Sequence, residues 1–154
     1  MRNHKLETLL VTLIVGISLG SSIGCAPKTA ATANRDITMV IASAGAAAAQ
    51  AEVAYNNKTI DQTTTNRTVI NDLGNGYEQA RIAFQAYLNA EAAYQISENL
   101  QIGACSPNGG SASTCQTATA QVNTANAQVQ QASTKLNEAV SALSTKTKQV
   151  QSLK

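Results

Sequence analysis

ATAQVNTANAQVQQASTKLNEAVSALSTKTKQVQSL, residues 118–153, decides the fold. Apolar residues return along it in alternating steps of four and three: Ala118, Val122, Ala125, Val129, Ala132, Leu136, Ala139, Leu143, Val150 and Leu153, with Lys146 alone breaking the rhythm. A mean spacing of about 3.5 residues marks a helix that offers one apolar seam to another helix. No Gly or Pro interrupts the chain from Ser111 to its end, which predicts one helix over about 115–152. Val and Leu alternate with Ala along the seam, so facing helices can interlock at short distance. The nearest partner for such a seam is another helix of the same chain, and the next is a second copy of the protein.

Two more seams lie upstream. Ile37, Ile41, Ala44, Ala48, Ala51 and Tyr55 keep the same spacing, predicting a helix over about 35–57 with Asn34 as its N-cap and Asp36 in its first turn. Residues 45–49 have almost no side chain, which predicts a close helix contact in a bundle. Gln50 and Glu52 argue against the alternative, a contact inside a membrane. Ile70, Leu73, Tyr77, Ala80, Phe84, Tyr87, Glu91 and Tyr94 predict a helix over about 66–102, with a bend at Gly74 and Gly76. Glu91 on this seam and Lys146 on the last are candidates to meet. Between the first two helices the chain is polar and Thr-rich, and a turn there lets three helices bury all three seams. The alternative is a long rod with one folded-back helix. The expected fold is therefore all-α, an antiparallel hairpin or three-helix coiled-coil-like bundle, Ala-rich and elongated, with a single domain over 34–154.

The core this composition allows is a modest one. The 154 residues include no Trp and one Phe, and Ala dominates the apolar content. At ~25 cal/mol per Å² a buried Ala contributes less than a buried Leu, although it is the best helix former. Charged residues make up 13% of the chain and the formal net charge is +2, which gives no electrostatic handle for nucleic acid. Tyr77, Phe84, Tyr87 and Tyr94 on one stripe suggest either core or a stacking platform. Burial against the third helix would make them core, and an exposed patch of several hundred Å² would favour binding.

The N-terminus carries an export pattern. Arg2 and Lys5 precede the apolar run LLVTLIVGISLG at 9–20, which is shorter than the roughly 20 residues of a membrane span. Ser22-Ile23-Gly24-Cys25 follows and resembles the lipobox of bacterial lipoproteins, with Ser22 where that class usually has Leu. The resemblance implies a signal peptide over 1–24, diacylglycerol on the Cys25 thiol, and usually a further acyl chain, such as palmitate, on the new amine. It also implies a short flexible tether over 25–33. Ala26, where an Asp would imply inner-membrane retention, implies the outer membrane and a periplasm-facing protein. The alternative is an ordinary secretory signal, Cys25 remaining a free thiol on a secreted helical protein.

Export bears on the other cysteines. Cys105 and Cys115 flank a loop holding Pro107, Asn108, Gly109 and Gly110, and an oxidising compartment makes a disulfide the expected state. It would fix the last two helices as an antiparallel hairpin. Two Cys with no nearby His make a poor metal site, and the pair lacks the CxxC spacing of redox motifs.

Little chemistry remains. The only His, His4, lies in the signal segment, the carboxylates are scattered, and no phosphate loop is present, so neither an enzyme, a metal nor a cofactor is expected. The expected role is a lipid-anchored structural or interaction protein of the envelope, with self-association through the seams as one route to partners. The final Lys154 gives this a sharper form, since the order of lipobox, heptad helix and terminal Lys resembles murein lipoprotein, in which that Lys is linked to peptidoglycan. Gln151-Ser152-Leu153 does not match that family's basic ending. The alternative class is a binding module for another envelope protein, including phage-type exclusion or lysis lipoproteins.

Overall fold

A computed structural model describes residues 27–108 and 110–153 of the chain. The expected signal segment, Cys25 and Lys154 lie outside the described residues. Three helices account for most of the rest: α1 (Pro27–Asn56), α2 (Thr64–Ala104) and α3 (Ala112–Gln151), with no strand among the described residues. Residues from Thr32 onward form one compact unit; of the other, only the first turn of α1 is described.

Each helix end follows from its sequence. Thr63 caps α2 by accepting from the Asn66 N–H at 3.1 Å, and Ser111 caps α3 by accepting from the Thr114 N–H at 3.3 Å. α1 stops where Lys58 turns left-handed at φ 60°, while the Asn57 and Thr59 N–H groups close onto the carbonyls of Val53 and Ala54. The Thr-rich stretch is thus a turn and the long rod is not formed. Two expectations change. Asn34 lies inside α1 instead of capping it, and residues 27–33, expected as a tether, are helical from Pro27. Proline suits the first helical position and the Ala-rich run behind it holds no breaker. Gly74 and Gly76 do not break α2, which is a single helix from Thr64 to Ala104.

Side-chain contacts give the register. Asn34 reaches Glu91, Gly45 lies under Tyr77, and Arg67 pairs with Glu52 at 2.6 Å, so α1 and α2 are antiparallel. The same Arg67 guanidinium stands 5.3 Å over the Tyr55 ring, fastening the turn. From Gln101 with Thr119 to Asp72 with Lys146, α2 and α3 are antiparallel too. The result is an up-down-up three-helix bundle.

The predicted seams fill its core. Ile37, Ile41, Ala44 and Ala51 meet Ile70, Leu73 and Ala80 and then Leu136, Leu143 and Val150. Leu73 and Leu143 are wholly inaccessible. The core is uneven along the axis. α2 has no buried residue after Ala80, and on the matching part of α3 only Ala118 and Ala125 are buried before Leu136. Charge is uneven as well: between residues 92 and 134 Glu98 is the only charged side chain, and no Lys or Arg stands between Arg81 and Lys135.

At Lys146 the third seam shifts by one position. Thr147 is buried in its place and turns its hydroxyl onto the Leu143 carbonyl at 2.9 Å. Lys146 lays its stem over Gly76 and donates its ammonium to the Asp72 carbonyl at 3.1 Å. It does not meet Glu91. The antiparallel register places Glu91 many turns away along α2.

Candidate functional site

The sequence-predicted sites fall in different places. Cys105 and Cys115 are joined as a disulfide across the α2–α3 loop, with Cα atoms 4.7 Å apart. The bond sits at the end of the hairpin where the core is thinnest, beside the Gln101 to Thr119 hydrogen bond of 2.9 Å. Cys25 and Lys154 lie outside the described residues, so no geometry attaches to either.

The aromatic stripe divides. Tyr77, Phe84 and Tyr87 are half-buried and pack on the core, Tyr77 with its ring against Gly45 of α1. An added Cβ at Gly45 would stand 2.8 Å from Tyr77 Cε2, so the bare backbone is what lets α1 come this close. Tyr94 lies outside the core cluster, half-exposed, with its hydroxyl on Glu98 at 2.9 Å. Most of the stripe is core, as its spacing implied.

One polar node interrupts the α1–α2 contact. Glu91 accepts from the Tyr87 hydroxyl at 2.5 Å through one carboxylate oxygen and from the Asn34 amide at 3.4 Å through the other. Burial, and then the Glu91 carboxylate holding its proton, push the Tyr87 phenol well above the usual tyrosine range. The node ties a turn of α1 to a turn of α2. Among the described residues no cluster of three or more His, Cys, Asp or Glu is placed to hold a metal ion, and no buried side-chain nitrogen or oxygen lacks a hydrogen-bond partner.

A second seam on α2 is absent from the sequence-based expectations. Ile82, Ala86, Asn89, Ala93, Ile96 and Leu100 repeat at steps of four and three, and all six are exposed, on the side of the helix away from Ala80. Ile82, Ile96 and Leu100 are 57%, 62% and 58% exposed. The signal is present in the spacing, but the stronger inward seam of the same helix masks it. Glu78 and Arg81 stand at the outward seam's beginning, paired at 2.7 Å, and the Arg81 hydrogen bond holds the Glu78 carboxyl below its ordinary value. α1 shows a shorter outward row, with Met39 and Val53 flanking Ala42, Ala46 and Ala49. Residues Ala33–Asn56 are long and apolar enough to cross a membrane by length and composition. Ile37, Ile41, Ala44 and Ala51 from this stretch are nevertheless buried in the bundle.

No family model matches the chain, and neither curated proteins nor solved structures provide a match.

Proposed function

We propose that this chain is a lipid-anchored structural or interaction component of a bacterial cell envelope, held to a membrane through Cys25 and acting by helix packing. The observation that carries the reading is Gly24-Cys25 three residues beyond the apolar run at 9–20, with positive Arg2 and Lys5 ahead of it. Several acyl chains, each contributing ~0.8 kcal/mol per buried CH₂, make such an anchor effectively permanent. The bundle supports the second half of the proposal. Its three inward seams go into packing, the carboxylates of Glu52 and Glu91 join α1 to α2, and its disulfide closes a hairpin.

Intact mass and detergent partitioning of the protein expressed with its own signal, beside Cys25→Ser, test the anchor. Diacylglycerol and acyl mass on the wild type alone is the expected result. Equal masses and equal solubility for the two forms would sink it and leave a secreted helical protein.

A further inference from the structure

We infer that the outward seam of α2, from Ile82 to Leu100, receives the same seam of a second copy, the two copies standing side by side on one membrane leaflet. The arrangement on the leaflet rests on the lipid anchor proposed above.

The spacing selects a helix as occupant. Steps of four and three over about 27 Å of helix form a narrow row, the pattern one helix offers another. A face that lies on lipid is broad, and rich in Lys, Arg and Trp at its margins. This row is narrow and flanked by none of those three residue types between Ile82 and Leu100.

Charge then selects the same chain. The positions beside the seam are Ala83, Gln85, Ala90, Ala92, Ser97 and Asn99, all uncharged. In paired helices these positions choose partners by attraction between opposite charges and exclude them by repulsion between like charges. A neutral margin gives an acidic or a basic partner helix nothing to hold. It also removes the repulsion that two identical helices in parallel ordinarily face.

The anchor selects the direction. Cys25 stands eight residues before Ala33, hence within about 28 Å of it however that stretch runs. Two bodies tethered this way to one leaflet, and extending to the same side of it, point their α2 helices the same way about a two-fold axis along the helices. Each seam residue then meets its own counterpart. Ile82, Ile96 and Leu100 form the large layers, Ala86 and Ala93 the close ones, and the two Asn89 amides bond to each other and fix the register. A single seam of this length is small beside the roughly 1,200–2,000 Å² of stable interfaces. Confinement to a leaflet offsets that by raising the local concentration of the partner.

The test is bismaleimide cross-linking of the full chain in native membranes, with Ala93→Cys on the seam and Ala127→Cys as the control. Ala127 is exposed on α3 at the same level of the hairpin. The Cys105–Cys115 disulfide and an acylated Cys25 do not react with maleimide. The expected result is a product of twice the chain mass from Ala93→Cys and not from Ala127→Cys. Adding Ile96→Asp should reduce it at least tenfold with helicity by circular dichroism unchanged, since Ile96 is exposed in the single chain. A monomer only, equal dimer from both positions, or a product with the mass of some other protein would each overturn the pairing. Acyl mass is read on the same membranes. Without the acyl group Cys25 would be a free, reactive thiol, so the cross-link is then repeated with Cys25→Ser in both variants: a dimer from Ala93→Cys alone would sink the anchor and keep the pair, and an acyl group without the cross-link would do the reverse.

Discussion

Three glycines of the bundle sit in different surroundings, and replacing each by Ala separates packing from helix propensity. A methyl group at Gly74 would have nothing within 4 Å, so Gly74→Ala should stabilise by about 1 kcal/mol through propensity alone. At Gly45 the methyl would stand 2.8 Å from the Tyr77 ring; overpacking of ~1–3 kcal/mol exceeds the propensity gain, and the variant should be less stable. Gly76 faces the flexible stem of Lys146, which can swing aside, and its variant should lie between the two. Urea midpoints at constant slope read the order. Tyr87 supplies a pH dependence. Its phenol is raised above the ordinary tyrosine value of 10.0 by burial and by Glu91, so the folded chain keeps a proton that the unfolded chain releases. The stability tied to that proton is complete below pH 10 and declines as pH rises beyond it. Tyr87→Phe should flatten that alkaline decline, measured as the urea midpoint against wild type from about pH 9 to about pH 11.

Among the elements, the α2–α3 hairpin depends on its disulfide most where its core is thinnest. Closing the loop between Cys105 and Cys115 constrains the unfolded chain by roughly 2–3 kcal/mol. Reduction should therefore lower stability by about that amount, and amide exchange should quicken first on the hairpin beyond Tyr87, where Ala118 and Ala125 are the only buried residues of α3. Equal acceleration at Leu73 and Leu143 would count against an uneven hairpin. The elements are largely legible in the chain because periodicity is a property of many residues at once: all three inward seams follow from it, whereas the turn after Asn56 rests on a polar, Thr-rich stretch that also allows a continuous rod. The ends and exceptions are less so. Pro27 suits a tether as well as a helix start, and Lys146 is a lone intrusion in the spacing until its stem and the buried Thr147 share the position. The outward row on α2 obeys the same spacing as the inward one, and only burial tells the two apart.

The unit from Thr32 onward is a bundle whose packing is concentrated where all three helices run together. Leu143→Ala, at a wholly inaccessible site, should cost about 2–5 kcal/mol. Ile102→Ser, 68% exposed near the loop, should change stability by less than about 0.5 kcal/mol. Thermal melts of the two variants measure that contrast directly. Of the candidate sites, the disulfide is readable from the cysteine spacing and the export pattern of the N-terminus, whereas the contact of Gly45 with Tyr77 and the node at Glu91 need the register between helices, which no single helix encodes. The long interval without Lys or Arg, from Arg81 to Lys135, has one more consequence. Trypsin cuts only after those two residue types, so even the unfolded chain would release residues 82–135 as one uncut peptide carrying the outward seam, the loop and both of its cysteines.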